Sequence, residues 1–303
     1  METYVKYIIL GEILVAVPII MTDASCDLPG NFMEKNNIPF LGLMCHFKNK
    51  DYEDDFGKSL SYEEFYKGLE NGEMPYTSQI NEYRFTEKFK ELLKQKRPII
   101  YIGMSSGISG TFNSSKLAKD AILSEFEDAD ITLIDSKGSS IGLGILVYYA
   151  CKMAQQGLSK DDIVNWVNNN RLKMNHWFVV EDLKHLKRGG RISSSKAVIG
   201  TLLDVKPIIY IENQGKLKNI TNVRGRKKAI KYLVERFREI AVDTENQVIG
   251  ISHGNCMEDA MLLKNIIERE FPNNKFIINI LGMGMAAHCG SGMLSLCFLG
   301  NKR

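Results

Sequence analysis

Short apolar runs alternate with amphipathic stretches along most of this chain. The apolar runs are rich in Ile, Val and Leu, and between them apolar residues recur every three or four positions. The first pattern is typical of buried strands and the second of helices that pack on a sheet. The repeated order of strand, loop and helix predicts an α/β fold, in which a mostly parallel sheet carries helices on both faces.

The pattern places the strands and helices only coarsely. Ser61 followed by Glu64 is a capping-box signature for a helix that ends near Gly72. A further helix is expected over 194–203, and the turn Asn213 to Gly215 predicts a hairpin. The strands expected in chain order are 16–21, 131–134, 176–180, 206–212, 216–223, 248–252, 276–281 and 293–299.

The composition of the chain changes at residues 181–193, which are rich in basic residues and contain two glycines. Such a segment is typical of a boundary between domains. We therefore expect an N-terminal extension over 1–15, an N-terminal α/β domain over 16–172 and a C-terminal α/β domain over 173–303. Each domain is expected to hold its own mostly parallel sheet.

The apolar stretch 7–21 leaves a membrane anchor open as an alternative. Glu12 and Pro18 interrupt it, and no cleavage motif of small residues follows. A charge near the middle of a membrane span costs about 2.5–3.5 kcal/mol on insertion scales. We therefore favour a first core strand preceded by an extension.

Composition excludes some classes of protein. The 303 residues include 39 basic and 36 acidic side chains, a balance that gives no support to a nucleic-acid-binding protein. The six cysteines contain no C-x-x-C pair, which argues against a disulfide framework or a structural zinc site. The pattern is typical of a protein of the reducing cytoplasm.

The most informative stretch is 101–112, where an apolar run breaks into Ser and Gly and then continues as a helix. Glycine allows a ligand to approach the backbone, and the N–H groups that open a helix attract anions. A phosphate, a carboxylate or the oxyanion of an ester under attack would fit. The last is included because Gly103 to Gly107 also reads as G-x-S-x-G, with Ser105 as nucleophile, Asp135 as acid and His253 or His288 as base.

Other motifs are absent or weak. The sequence has neither G-x-x-x-x-G-K-[ST] nor G-x-G-x-x-G between a strand and a helix, so it offers no nucleotide-phosphate cradle. His253 with Cys256 and His288 with Cys289 are isolated pairs without a carboxylate at ligand spacing. We expect neither a metal site nor a cofactor.

Six short motifs follow one another along the chain. They are Thr22 to Leu28, Thr77-Ser78-Gln79, Ser105 to Thr111, Gly189 to Ser193, Lys206-Pro207 and Arg224 to Ala229. In this order they resemble the motifs of the DegV family. The match covers the chain from Ile19 onward, and five or six such pieces in order are a specific signal.

The resemblance implies a two-domain α/β fold that buries a fatty acid between its domains. It further implies a lipid-binding subunit without a nucleotide site of its own, which presents the carboxylate to a separate ATP-dependent fatty acid kinase subunit. Transient membrane contact for lipid exchange would accompany this role. The alternative is a serine esterase that uses Ser105.

The resemblance also implies roles for particular residues. Thr77 and Ser106 match the positions on the fatty-acid carboxylate, and His288 matches the C-terminal histidine of the family. Ser78, Ser105 and Gly107 belong to the same carboxylate motifs. Arg191 and Arg224 are expected on the side of the head group and the partner. The loop 287–292 reads A-H-C-G-S-G and departs from the family pattern T-H-T-G-P-G, because it lacks the proline and the threonines.

Overall fold

Two sheets of different topology form the frame of this protein. The computed structural model describes residues 7–10, 13–192 and 204–303. A four-stranded sheet, a three-stranded sheet and a two-stranded hairpin lie before residue 136, and a six-stranded sheet lies after residue 173. The α/β class and the two-domain layout are confirmed, while the boundary between residues 172 and 173 stays a prediction.

The parallel sheet expected in the first half is present. Its strand order is β4-β3-β8-β9 with every neighbouring pair parallel, and an antiparallel sheet β6-β5-β7 lies beside it. The elements of this half are β1 (Tyr7–Leu10), β2 (Ile13–Ala16), β3 (Ile19–Asp23), α1 (Gly30–Lys35), β4 (Phe40–Leu41), β5 (Met44–Phe47), β6 (Lys50–Glu53), α2 (Tyr62–Glu70), β7 (Tyr76–Ser78), α3 (Glu82–Leu93), β8 (Ile99–Gly103), α4 (Thr111–Glu125), β9 (Ile131–Asp135), α5 (Ser140–Gln155) and α6 (Lys160–Asn170).

The second sheet corrects the expectation of a mostly parallel sheet in both halves. Its order is β12-β11-β10-β15-β13-β14, and only β13 and β14 pair in parallel. A buried strand has the same apolar run in either orientation, so the sequence pattern could not reveal this. The elements are β10 (Met174–Val179), α7 (Lys184–Arg188), β11 (Val205–Ile211), β12 (Leu217–Arg224), α8 (Arg226–Ile240), β13 (Val248–His253), α9 (Met257–Glu270), β14 (Lys275–Ile280), α10 (Met283–Cys289) and β15 (Leu294–Leu299).

Four local predictions from the sequence have different outcomes. The hairpin across Asn213 to Gly215 is confirmed, with Gly215 at a φ of 77°. Ser61 caps α2 by accepting a hydrogen bond from the Glu64 N–H. The first core strand begins at Ile19, because Ala16 belongs to the hairpin β1–β2. The helix expected over 194–203 lies outside the described residues.

Helix α5 joins the two halves. Its sequence is apolar all round, and it packs on β3 and β8 of the first sheet and on β13 of the second. Two glycines allow the close approach. A Cβ on Gly144 would lie 2.4 Å from the Cys26 carbonyl oxygen, and a Cβ on Gly250 would lie 2.7 Å from Cγ1 of Ile141. Among the described residues, no helix is long and apolar enough to cross a membrane.

We expect Gly144→Ala to lower the free energy of unfolding by about 1–3 kcal/mol, the usual cost of overpacking. Alanine favours a helix by about 1 kcal/mol over glycine, so the helical propensity alone predicts the opposite sign. Gly30→Ala is the control, because a Cβ there would meet its nearest atom at 3.4 Å. Urea unfolding of both variants measures the difference. A Gly144→Ala protein as stable as Gly30→Ala would contradict the tight contact between α5 and the Cys26 turn.

Candidate functional site

A largely apolar cavity lies between the inner face of the six-stranded sheet and the N-terminal half. Counting its open mouth, it holds about 710 Å³ not occupied by atoms. Two polar groups of side chains interrupt the apolar wall. The apolar lining consists of Leu43, Met104, Ile108, Phe178, Leu186, Ile211, Leu217, Leu281, Met285 and Met293.

The first polar group combines side chains from both halves. Thr77 on β7 and His288 on α10 share a hydrogen bond of 2.8 Å between Oγ1 and Nε2. Gln79, Ser109 and Arg191 also line this end of the cavity. Arg191 is held there because its Nε donates to the Ile108 carbonyl at 3.0 Å and its Nη1 to the Gly189 carbonyl at 2.5 Å. We call these five residues the head-group cluster.

The second polar group lies deeper, where helix α5 starts against the sheet. It consists of Ser139, Ser140, His176, Ser295 and Cys297, all of them buried. Hydroxyl-to-hydroxyl contacts of 2.7 Å link Ser140 to Ser252 and Ser252 to Ser295. The cavity therefore carries polar groups at two ends of an apolar wall.

Two buried carboxylates position the helix that carries His288. Oδ1 of Asp27 accepts the Gly282 N–H and Oδ2 of Asp54 accepts the Gly284 N–H, both at 2.9 Å. These contacts satisfy free N–H groups at the start of α10. Burial raises the pKa of Asp27 to about 8 and the pKa of Asp54 to about 7. Burial of these two side chains disfavours their ionised forms. Their hydrogen bonds to Gly282 and Gly284 fix the start of α10.

Arg188 adds a second contact across the two halves at the mouth. Its Nη2 donates to the Pro75 carbonyl at 2.6 Å and to the Ala287 carbonyl at 3.2 Å. Pro75 lies just before β7, and Ala287 lies next to His288. Together with the bond between Thr77 and His288, this contact holds strand β7 against helix α10.

The head-group cluster favours an anion. Burial, then the nearby Arg191, Arg188 and His185, lower the pKa of His288 to about 4. His288 is therefore neutral at pH 7, and the positive charge of the site comes from Arg191 and Arg188. Nδ1 of His288 is buried and has no hydrogen-bond partner among the described residues. A hydroxyl, an imidazole and a guanidinium at one end of an apolar slot suit an amphiphile with an anionic head.

Three of the residues predicted from the sequence meet in this cluster, namely Thr77, Arg191 and His288. Ser78 does not, because successive side chains of a strand point to opposite faces. Its hydroxyl is exposed and lies 2.8 Å from Nε2 of His46. The strand β7 thus separates neighbouring residues that the motif had grouped together.

The loop after β8 places three further predicted site residues, Ser105, Ser106 and Gly107, outside the cavity lining. Ser105 is fully buried and donates to the Gly215 carbonyl at 2.9 Å, while its oxygen accepts the Gly107 N–H at 3.0 Å. Ser106 is exposed, and its hydroxyl accepts a bond of 2.8 Å from Nζ of Lys137. Neither serine lines the cavity, because the loop packs Ser105 on the β11–β12 hairpin.

Gly107 and Arg224 also lie away from the cavity. A Cβ on Gly107 would lie 2.7 Å from the carbonyl oxygens of Gln214 and Gly215, so glycine here permits packing on the hairpin turn. Arg224 is exposed at the end of β12. Of the two arginines expected on the side of the head group, only Arg191 belongs to the cavity lining.

The contacts expected of a serine esterase are not formed. Ser105 bonds to Gly215, and the Asp135 carboxylate contacts Nζ of Lys137 at 2.7 Å. His288 bonds to Thr77, and Nδ1 of His253 accepts the Cys256 N–H at 3.3 Å. No serine, histidine and aspartate of the proposed set therefore touch one another. Within the described ranges, no group of three or more His, Cys, Asp or Glu side chains is arranged to hold a metal ion.

Sequence reasoning missed several residues of the lining. Gln79 and Ser109 belong to motifs that were singled out, but their neighbours received the roles. Ser139 was given no role, and His176 was assigned only to a strand. Only the register of the strands brings His176 to the cavity, and no local pattern indicates it.

Comparison with known proteins identifies the family. The model described as "Uncharacterised protein, DegV family" matches residues 19–301. This chain belongs to the DegV family. The DegV domain-containing protein CPE0026 of Clostridium perfringens is 41% identical over 285 residues, which cover 94% of this chain and 98% of that protein.

Solved DegV structures have the same fold. DegV of Bacillus subtilis, described as a fatty acid binding protein, is 29% identical with a TM-score of 0.81, covering 94% of this chain and 99% of that one. The fatty acid binding DegV family protein SAG1342 of Streptococcus agalactiae is 28% identical with a TM-score of 0.81 and the same coverage. The resemblance deduced from the motifs is thereby confirmed.

We expect Arg191→Gln to raise the pKa of His288, because it removes the neighbouring charge that lowers this pKa most. Arg188→Gln should raise it less. Arg236→Gln, on the far helix α8, is the control and should leave it unchanged. NMR titration of the His288 ring protons measures all four proteins, with a wild-type midpoint of about 4. A wild-type midpoint near 6.5, or identical midpoints in the Arg191 and Arg236 variants, would contradict the described cluster.

Proposed function

We propose that this protein binds a long-chain fatty acid in the cavity and presents its carboxylate to a separate ATP-dependent fatty acid kinase subunit. The observation that carries the proposal is the apolar slot with Thr77, Arg191 and His288 gathered at one end. The fatty acid binding recorded for similar DegV proteins of Bacillus subtilis and Streptococcus agalactiae supports it.

The acyl chain supplies the affinity. Burial of a C16 chain offers about 0.8 kcal/mol per CH₂ group, on the order of 11 kcal/mol before the costs of binding. Leu186, Phe178 and Met285 belong to the wall that would contact it. Methionine side chains adapt their shape, so the wall suits chains that differ in length or unsaturation.

The head-group cluster supplies orientation. In this proposal the carboxylate accepts hydrogen bonds from the Thr77 hydroxyl and from Arg191, and the contact of Thr77 with His288 fixes where the hydroxyl lies. A guanidinium also suits the acyl phosphate that a kinase would form, because it can bind two oxygens of either a carboxylate or a phosphate group through two N–H groups. The site is thus suited to the fatty acid before and after phosphoryl transfer.

The division of labour follows from the chemistry of the site. The chain carries no nucleotide-phosphate motif, so the ATP would be bound by the partner. In this role the protein is a lipid-binding subunit and not an enzyme by itself. The exposed Arg224 would lie on the side of the partner. We place this activity in the cytoplasm, with transient membrane contact for lipid exchange.

A matched pair of variants tests the lipid site. Thr77→Val should weaken palmitate binding by about 1.5–3 kcal/mol, the usual contribution of a hydrogen bond to a charged group. Ser78→Ala, one residue along the same strand, should leave binding unchanged because that hydroxyl faces His46. Titration calorimetry of delipidated protein measures both. A folded wild type that takes up no palmitate would overturn the proposed function, and equal losses in both variants would overturn the role of Thr77.

A reconstituted reaction tests the presentation to a kinase. With a DegV-partner kinase subunit and ATP, the wild type should support palmitate-dependent ATP turnover, and alone it should show none. Arg191→Ala and His288→Ala should keep bound palmitate but lose most turnover, because both lie beside the carboxylate. Arg224→Ala should raise only the concentration of partner needed. Unaided ATP hydrolysis by the wild type, or full turnover by the Arg191 and His288 variants, would contradict the proposal.

A further inference from the structure

The deep polar end of the cavity lies along the neighbouring strands β10 and β15. On neighbouring antiparallel strands, Phe178 lies opposite Ser295, and His176 lies opposite Cys297. His176 and Cys297 are therefore the pair farther from Met293, which precedes β15 near the head-group end. From Met293 to Cys297 the strand covers four residues, a distance of about 13 Å.

His176 presents an unused hydrogen-bond acceptor at this deep end. Its side chain lines the cavity and is only 2% exposed. Its Nδ1 lies 2.9 Å from the Met174 carbonyl oxygen, which requires Nδ1 to carry the proton. Nε2 therefore bears a lone pair, and it has no hydrogen-bond partner among the described residues. Burial lowers the pKa of His176 well below its usual value, so the ring stays neutral.

A hydroxyl donor lies at the same end of the cavity as this acceptor. A Cβ on Gly138 or on Gly142 would lie 2.3 Å from Nε2, so the ring nitrogen faces the start of helix α5. The Gly138 N–H donates to the Ser136 hydroxyl oxygen and the Gly142 N–H to Cys297, so these two groups are already used. Ser139, the N-cap residue, makes no side-chain bond to that helix, and its hydroxyl belongs to the cavity lining. The lone pair of His176 and the hydroxyl of Ser139 thus belong to the same polar end of the cavity.

We propose that this deep end is a subsite for a hydroxyl group on the acyl chain, so that the protein accepts hydroxylated long-chain fatty acids. The inference rests on the proposed function of the cavity. A hydroxyl can donate to Nε2 of His176 and accept from the Ser139 hydroxyl, whereas a plain alkyl chain leaves the lone pair of His176 without a partner. A second carboxylate does not fit, because it would face the lone pair of a neutral imidazole.

The geometry also indicates where the hydroxyl belongs. With a C–C bond of about 1.5 Å, each carbon of an extended chain advances by about 1.3 Å, so about 13 Å corresponds to roughly ten carbons. If the span from Met293 to Cys297 is taken as the separation of the two polar ends, a hydroxyl near carbon 10 to 12 would reach His176 when the carboxylate lies at the head-group cluster. A hydroxyl on carbon 2 would stay at the mouth.

Binding of four acids to the delipidated full chain tests the subsite. Stearic acid reports on the cavity itself, and 10-hydroxystearic and 12-hydroxystearic acid report on the deep end. We expect the better of these two to bind about fivefold to tenfold more tightly than stearic acid, the gain from a hydrogen bond at an unpaired acceptor. The control, 2-hydroxystearic acid, should show no such gain. Failure of stearic acid to bind would overturn the proposed function. Stearic acid binding with no gain from either deep hydroxyl would overturn only the subsite.

Three variants assign the effect to His176. His176→Leu should abolish the advantage of the hydroxylated acid, and His176→Gln, which keeps a polar group near the Nε2 position, should retain part of it. Phe178→Leu changes a cavity-lining residue on the same strand and should alter the affinities of both acids alike. If His176→Leu does not fold, the Gln variant and the wild type still give the comparison. An unchanged ratio of affinities in His176→Leu or His176→Gln would overturn the assignment.

Discussion

The carboxyl group of Asp27 is the constraint on which the site depends. It accepts the Ser140 hydroxyl at 2.5 Å and the Gly282 N–H at 2.9 Å, so one buried side chain holds the starts of both α5 and α10. Helix α5 joins the two sheets, and helix α10 carries His288. Burial raises the pKa of Asp27 to about 8, so this carboxyl group is more easily protonated in the fold than in the unfolded chain. Its two partners compensate in part for the loss of water.

From this constraint follows the shape of the cavity. Helix α5 packs against Gly250 of the second sheet and α10 is bonded to β7 through His288, so these two helices set the position of the cavity walls. The polar groups at both ends come from different elements, so no single motif contains them. This arrangement lets the apolar wall provide affinity while a few hydrogen bonds select orientation and ligand chemistry.

Much of the fold could be predicted from the pattern of the sequence, and the reasons for the failures are physical. The hairpin at Gly215 has local turn chemistry, so it was found. The antiparallel pairing of β15 with β10 depends on contacts between residues more than a hundred positions apart, and a buried strand reads alike in both orientations. The motif from Ser105 to Thr111 indicated a loop that reaches the cavity, but it does so through Ser109, because Ser105 packs against the hairpin. His176 reaches the cavity through sheet register alone.

A structure of the delipidated protein soaked or crystallised with palmitate tests the central claim most directly. The account predicts that the alkyl chain lies along Phe178, Leu186 and Met285, with a carboxylate oxygen within hydrogen-bonding distance of Oγ1 of Thr77. It also predicts that the carboxylate lies within reach of Arg191. A carboxylate at the Ser139 and His176 end, or a palmitate bound outside the slot between the two sheets, would contradict it.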